Sequence, residues 1–445
     1  MINEIEQILN FVSALIWGPF TLVLLLGVGI YLMFGLKVFP ILNIKHGIKC
    51  LFKKSSKDDD GDISSFESLM TALSATVGTG NIAGVATAIF LGGPGAIFWM
   101  WVTALFGMAT KYAEAFLAIY YRERNDKNNY VGGPMYYIKN GLDKKYHFLG
   151  YLFAFFGMIA AFGIGNGVQS NSVAQVLSIE LGISKISIGF IIAILVTMVI
   201  LGGIRSIGKT ASKLVPIMSL TYVFGGLFII LSNISVVPEI FFLIINSAFS
   251  PTAASGGFAG ASVLMAIRFG VSRGVFSNEA GLGSSPIAHA AAKTNDPIKQ
   301  GSISMLEPLI DTLIVCSITA FVILISGEWL TGVNGAALTT NAFNHGIPLF
   351  GKYIVIIGLI LFSFSTIIGW SYYGEKCAEF LFGNKITMLY RILWVIIIPI
   401  GAGIELNLIW LIADIMNGLM ALPNLIALVL LSPIIFSRTK SFLAK

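Results

Sequence analysis

Two stretches carry residue types that sit badly in an apolar helix and well around a polar ligand. Ser74-Ala75-Thr76-Val77-Gly78-Thr79-Gly80-Asn81-Ile82-Ala83-Gly84 puts glycines and hydroxyls in the middle of an otherwise apolar run. Arg273-Gly274-Val275-Phe276-Ser277-Asn278-Glu279-Ala280-Gly281-Leu282-Gly283 is more polar still. Glycine inside a helix costs about 1 kcal/mol against alanine, so both stretches are expected to unwind. An unwound helix presents free amides, partly positive, where its second half begins, and free carbonyls, partly negative, where its first half ends. A zwitterion needs both. The amides of Thr79, Gly80 and Asn81 suit a carboxylate, with glycine allowing close backbone approach. The carbonyls near Arg273, Gly274 and Phe276 suit an ammonium. Glycines in membrane helices also serve close packing; two breaks in register weigh against that alternative.

Other polar residues follow from this centre. Gln169, in Gly163-Ile164-Gly165-Asn166-Gly167-Val168-Gln169-Ser170-Asn171, is either a substrate ligand or packing glue between helices. Ser363, Ser365 and Thr366, next to Trp370, offer hydroxyl oxygens that could complete a sodium cage with carbonyls around Ser74 to Val77, although each alone can bond back to its own helix. Glu279 is an acid within a span and therefore a functional hypothesis by default: a sodium ligand, a protonatable coupling group, or half of a pair with Arg268 or Arg273. Lys111 and Glu114 have the spacing of an i, i+3 pair. Glu307, Asp311, Glu375 and Asp414 are expected near interfaces or in cytoplasmic vestibules. Trp99, Trp101, Trp370 and Phe276 could wall a pocket, and tryptophan is also common at membrane interfaces.

Several chemistries are excluded. Gly203-Ile204-Arg205-Ser206-Ile207-Gly208-Lys209-Thr210 matches the P-loop pattern by letter, but no alternating strands and helices surround it. Gly78-Thr79-Gly80 follows no strand and is no dinucleotide fingerprint. His289 and His345 have no partners at ligand or triad spacing, which leaves hydrolase and metal chemistry unsupported. Cys50, Cys316 and Cys377 lack metal-ligand spacing and are too few for a disulfide framework.

The elements that must position these residues are membrane helices. Of 445 residues, 56% are hydrophobic and 11% charged, against roughly a quarter charged in a soluble domain. A mean hydropathy of +0.85 fits lipid as the solvent for most side chains. At about 20 residues per span the chain has room for roughly 10 to 12 spans and no large extramembrane domain. The net charge of +6 sits in loops rather than on one soluble face, so no nucleic-acid partner is expected. The first ten residues carry Glu4 and Glu6 but no lysine or arginine. They lack a signal peptide's positive region, and the first apolar stretch reads as a retained span.

Apolar runs place eleven spans at about 11–36, 66–90, 95–121, 148–181, 186–203, 214–231, 258–292, 302–326, 351–382, 386–403 and 406–431. Positive residues follow the odd spans: Lys37, Lys45, Lys49, Lys53, Lys54 and Lys57, then Arg122, Arg124, Lys127, Lys139, Lys144 and Lys145, then Arg205, Lys209 and Lys213. Lys293, Lys299, Lys376, Lys385, Arg438, Lys440 and Lys445 fall on the same side. By the positive-inside rule the N-terminus lies outside and the C-terminus in the cytoplasm, as an odd span count requires. Setting span one aside, spans two to six and seven to eleven form two sets of five, each opening with its broken member. Five is odd, so the second set is inverted. Interrupted helices at matching positions of inverted halves point to a secondary transporter.

The chain also carries a resemblance. Gly92-Gly93-Pro94-Gly95-Ala96-Ile97-Phe98-Trp99-Met100-Trp101-Val102-Thr103-Ala104-Leu105-Phe106-Gly107 resembles the signature of the sodium:alanine/glycine symporter family. Ser74 to Gly84, and Phe276-Ser277-Asn278-Glu279-Ala280-Gly281-Leu282-Gly283-Ser284, are similar to that family's other hallmark stretches. The resemblance implies a leucine-transporter-like fold with one extra N-terminal helix. It places Thr79, Gly80 and Asn81 at the substrate carboxylate, Gly274 and Phe276 across the site, and Gln169, Thr366 and Trp370 along its walls. By fold analogy it assigns the Ser74 and Val77 carbonyls, with the Ser365 and Thr366 hydroxyls, to sodium.

The expectation is an all-α polytopic transporter, not an enzyme. Its single domain comprises an extra span at 11–36, a first repeat at 66–232 and an inverted second repeat at 258–432. It would carry alanine and glycine with sodium by alternating access in the plasma membrane, its partners being the amino acid, sodium and the bilayer. No cofactor is expected beyond the coupling ion. A proton-coupled carrier using Glu279, or a channel, are the alternatives.

Overall fold

The computed structural model of the chain describes residues 2–53, 56, 59–404 and 407–444, with the side chains of 2–5 and 407–410 left aside. Lys54, Lys57, Lys445 and Leu406, named above for charge or as a span boundary, lie outside the described residues.

The first apolar run is two helices, α1 (Ile2–Ile16) and α2 (Pro19–Gly35), interrupted at Gly18, which is extended ahead of Pro19. The interrupted span follows as α3 (Ser65–Thr76) and α4 (Gly80–Gly92), bent 53° at the break between them. A capping box starts α3: Ser64 Oγ accepts from the Glu67 amide at 3.1 Å while the Ser64 amide donates to Glu67 Oε2 at 2.8 Å, satisfying two donors at once. Next come α5 (Gly95–Tyr120), α6 (Lys144–Leu181), α7 (Lys185–Ile200) and α8 (Gly203–Ser232). A short helix α9 (Val237–Phe249) precedes α10 (Val263–Asn278), and Pro286–His289 forms one further turn, α11. The chain closes with α12 (Pro297–Ser326), α13 (Gly335–Gly346), α14 (Gly351–Phe382), α15 (Ile386–Gly403) and α16 (Asn407–Leu443).

Among the described residues eight helices are long and apolar enough to cross a membrane, nine if α3 and α4 count as one. Their apolar faces point outward as well as inward. Ile186, Phe190, Ile194 and Met198 form a stripe along α7, each more than half exposed, which only a lipid surround makes favourable.

Three expected boundaries shift. The segment from 203 to 213, taken for a loop because of its charges, is the start of α8. Ile204, Ile207 and Ala211 are buried while Arg205, Lys209 and Lys213 are exposed, the signature of an amphipathic first turn; the P-loop letters are therefore helix, not a phosphate loop. The final helix runs on to Leu443 with Pro423 and Pro433 inside it. The second interrupted stretch breaks later than expected: α10 is continuous through Asn278, and the non-helical segment begins at Glu279.

Inside α6 and α12 the helix widens to π geometry at Ala161–Gly167 and Leu309–Cys316. In the first, a side chain on Gly165 would meet Trp370 Cβ at 2.2 Å, so glycine is what lets α6 and α14 approach.

Candidate functional site

At the first break, α3 ends by a Val77 amide bond to the Leu73 carbonyl at 2.8 Å. The next amide that helical register would supply, that of Gly78, turns instead to Asn81 Oδ1 at 2.8 Å. The Asn81 amide bonds the Gly78 carbonyl at 3.2 Å. Both diversions have the same effect. The Ser74 and Val77 carbonyls lose the amides four residues on that a continuous helix would give them. The amides of Thr79 and Gly80 open the second half-helix.

Side chains gather at this break from α6 and α14. Gln169 Nε2 donates to Thr79 Oγ1 at 3.4 Å and to the Ile164 carbonyl at 3.1 Å, while its buried Oε1 has no partner. A Cβ on Gly78 would stand 2.7 Å from Thr366 Oγ1, and one on Gly369 would stand 2.7 Å from Ser74 Oγ. Glycine at these two places sets α3 directly against α14. Ser365 and Thr366 both donate to the Phe362 carbonyl, at 2.8 and 2.9 Å. Their hydroxyl protons are thereby used inward, leaving oxygen lone pairs to accept.

A cavity of about 270 Å³ opens on the break, lined by Thr79, Gly80, Arg273 and Phe276 with Ala336 of α13 and Leu359 of α14. Gly80 faces the ring of Phe276, whose Cδ1 would lie 3.4 Å from an added Cβ. A larger hollow of about 470 Å³ lies at the opposite end of α14, around Tyr372, Glu375 and Arg391. Four of its charges are paired with one another, Arg391 Nε with Glu375 Oε2 at 2.6 Å and Lys376 with Glu379 at 2.6 Å, and no half-helix end opens on it.

Of the eight residues named for the substrate, Thr79, Gly80 and Phe276 line this cavity, while Gln169 and Thr366 stand beside the break without lining it and Asn81, Gly274 and Trp370 are engaged elsewhere. Asn81 is fully buried and donates to Asp311 Oδ1 at 2.6 Å. The same carboxylate accepts from Ser277 and Thr312 at 2.8 Å each. Gly274 lies within α10 against α5, where a Cβ would meet Thr103 Oγ1 at 2.2 Å; this glycine serves close packing. Trp370 is 1% exposed and donates its indole N–H to Glu279 Oε1 at 3.0 Å.

The second break runs from Glu279 to Ser285. Glu279, Gly281 and Gly283 all take positive φ, +54°, +91° and +80°, a backbone region open chiefly to glycine. The Glu279 amide still reaches the Val275 carbonyl at 2.8 Å. The next three amides go elsewhere: Ala280 to Asn278 Oδ1, Gly281 to Glu114 Oε1 and Leu282 to the Glu279 carbonyl. The carbonyls of Phe276, Ser277 and Asn278 are therefore left at the negative end of α10.

Glu279 pairs with neither Arg268 nor Arg273 among the described residues; it accepts from Trp370 and Ser284. Lys111 likewise does not pair with Glu114. It binds Glu307 Oε2 at 2.9 Å and Ser285 Oγ at 2.8 Å, all of them fully buried. Glu307 Oε1 also lies 2.6 Å from His289 Nε2, and His289 Nδ1 lies 2.6 Å from Gln300 Nε2. Glu307 and Asp311 are thus interior residues of α12 rather than interfacial ones, whereas Glu375 does line a vestibule. Their partners are too distant in sequence for spacing to reveal; the signal present was simply an acid within an apolar run.

Comparison with known proteins agrees with this architecture. A sequence model of the sodium:alanine symporter family matches residues 2–445. Sodium/alanine symporter AgcS of Methanococcus maripaludis is 51% identical over 99% of this chain and 97% of its own length. The amino-acid carrier protein AlsT of Bacillus subtilis is 34% identical over 98% and 92%. Among solved structures, a Na+-coupled sialic acid symporter in its substrate-bound outward-open state superposes with a TM-score of 0.53 at 12% identity, covering 94% of this chain and 98% of that one. A manganese transporter of Eremococcus coleocola gives 0.53 at 13% identity over 85% and 81%. These structural likenesses carry the fold alone; the sequence matches carry the kinship, and by them the chain belongs to the sodium:alanine symporter family, whose members are cation-coupled amino-acid transporters and not enzymes.

Proposed function

We propose that this chain is a sodium-driven symporter of alanine and glycine that works by alternating access in the plasma membrane. The observation that carries the reading is the pair of open half-helix ends beside one cavity. The amides of Thr79 and Gly80 would take the substrate carboxylate, and the terminal carbonyls of α10, from Phe276 to Asn278, its ammonium. Gln169, with an unpartnered buried Oε1, supplies a further acceptor. The Phe276 ring, which lines the cavity, would restrict the side chain to a hydrogen or a methyl.

Sodium would sit where α3 meets α14. The Ser74 and Val77 carbonyls and the Ser365 and Thr366 oxygens are neutral, open to accept, and drawn from the two elements that touch at Gly78 and Gly369. Neutral oxygens of this kind replace a hydration shell for a monovalent cation. The ion ties the half-helices to α14, so its binding and the substrate's favour one closed arrangement. Driving that shift from one dominant state to the other takes about 5.5 kcal/mol of differential affinity.

The proposed topology has eleven spans, with the N-terminus outside and the C-terminus in the cytoplasm. Spans two to six (66–232) and seven to eleven (258–432) are inverted repeats, and the α1–α2 helix is additional. Packing supports this pairing. Exchanging the halves turns the contact of α6 with α16 into that of α14 with α8, and maps α7 with α15 onto itself; all three contacts are present.

The test is uptake of labelled alanine into proteoliposomes under an imposed sodium or proton gradient. Accumulation driven by sodium alone supports the reading. Accumulation driven only by protons would transfer the coupling role to Glu279, and flux far above carrier turnover would make the protein a channel.

A further inference from the structure

A second cavity, of about 260 Å³, lies against the first. It is walled by Ser13 and Trp17 of the N-terminal helix, Arg268, Arg273 and Phe276 of α10, and Asp414 of α16. Arg273 and Phe276 line both hollows, so the two are separated by one turn of α10. The volume exceeds by far what one ordered water needs.

Its charges are not paired with one another; Arg268 and Arg273 lie instead over the Phe269 and Phe276 rings, at 5.6 and 5.8 Å from the centroids. Asp414 Oδ2 accepts from Ser13 Oγ at 2.9 Å, and its backbone carbonyl accepts from the Trp17 indole at 3.1 Å. Neither arginine forms an ion pair within 4.0 Å with any acid among the described residues. Arg273 Nε is buried and without a hydrogen-bond partner. A buried guanidinium nitrogen left unmade is costly, and the neighbouring carboxylate has closed on neither arginine. Two cations and one anion around an aromatic wall are the complement of an amino acid's own backbone: a carboxylate forked by guanidinium groups, an ammonium on an aspartate, and a small apolar substituent against Phe276.

We propose that this cavity is a second amino-acid site, holding a zwitterion at Arg268, Arg273 and Asp414 beside the transport site. It rests on the reading of the chain as an amino-acid transporter for the identity of the ligand, though not for its charge pattern. The site also gives the additional N-terminal helix a task. Ser13 and Trp17 orient Asp414, and without that helix the cavity would lose a wall.

The experiment is the saturating capacity of the purified full-length protein for labelled alanine in sodium, read beside proteoliposome uptake. The wild type is expected to hold two alanines per chain. Asp414→Asn is expected to halve that capacity while leaving the affinity of the remaining molecule unchanged, and Ser13→Ala to weaken the same half selectively. Acetate or methylamine, each bearing one of the two charges, should displace the Asp414-dependent alanine poorly. A wild-type capacity of one would overturn the proposal, as would an Asp414→Asn protein with full capacity and altered uptake rate, which would make Asp414 a closing ion-pair partner only. Sodium-driven uptake with a capacity of one leaves the transport reading standing and removes this site. An Asp414-dependent half of the capacity without sodium-driven uptake does the reverse.

Discussion

The two broken helices differ in how completely their polar atoms are used. Around Gly78 the break is held by few bonds: Asn81 to Gly78 and Asp311, Thr319 Oγ1 to the Asn81 carbonyl at 2.8 Å, and Thr339 Oγ1 to the Ile82 carbonyl at 3.0 Å. Among the described residues the Ser74 and Val77 carbonyls and Gln169 Oε1 stay open. The segment from Glu279 to Ala292 is instead fastened from many elements. Glu114 and Lys111 of α5, Ser68 of α3, Glu307 of α12, Trp370 of α14 and Asn424 of α16 all bond to it. Arg122 adds bonds to the Ala290 and Ala292 carbonyls at 3.0 and 2.8 Å. The first break keeps open acceptors along its backbone, whereas the second keeps only the terminal carbonyls of α10 and is otherwise fastened on all sides. The first is suited to receiving a ligand, and the second to serving as a fixed surface against which the first moves.

The sharpest way to break this contrast is Lys111→Met. It leaves Glu307 with His289 and Ser304 but no fixed cation, and removing one member of a buried pair costs about 3 to 5 kcal/mol. A marked fall in thermal midpoint in detergent is expected; an unchanged midpoint would mean the second break is not anchored by charge. Asn81→Ala should act on function more than on fold. It strips the Gly78 amide of its acceptor and Asp311 of a donor, about 1 to 3 kcal/mol by loss of buried hydrogen bonds, and should sharply lower sodium-dependent uptake. Retained sodium affinity in this variant would contradict the role given to the diverted amides.

Trp370→Phe preserves the ring against Gly165 and deletes only the indole donor to Glu279, a bond worth about 1.5 kcal/mol. A small loss of stability with alanine selectivity intact is expected, whereas Trp370→Ala, which empties the volume between Gly165 and Tyr373, should admit larger side chains if that space joins the substrate cavity. Competition by valine and leucine against labelled alanine reads both. The mildest change is Gly84→Ala. Nothing lies within 4 Å of the added methyl, so the helix should gain up to about 1 kcal/mol, while the methyl enters the cavity of about 270 Å³ that Gly84 lines and should lower uptake only modestly.

Much of this architecture was legible from side-chain type. The helix at 351–382 agrees residue for residue with its apolar run, and 386–403 does the same, because lipid leaves an uninterrupted record in hydrophobicity. The first break was legible because Gly78, Thr79 and Gly80 in succession are poor helix formers in the middle of an apolar run. The second was displaced by about a turn for a physical reason: Gly274 marks where α10 crowds α5, Gly281 and Gly283 mark where the chain turns left-handed, and the letter is the same. The bond from Lys111 to Glu307 spans 196 positions, beyond any periodic pattern. Spacing pointed to Glu114, and tertiary folding chose otherwise. Arg273 and Asp414 were each visible as charges in apolar runs, but their shared cavity exists only once α1, α10 and α16 are brought together.

Glu279 holds a left-handed conformation at φ +54° that costs a residue with a side chain about 1 to 2 kcal/mol and glycine almost nothing. On torsion alone glycine is the favoured residue here, and glycine occupies both neighbouring left-handed positions, 281 and 283. A glutamate can persist only where losing its carboxylate harms the cell more than the torsion harms the protein. A library saturated at this codon and grown on alanine as nitrogen source would weigh the two, with glycine the most abundant survivor if geometry alone is under selection.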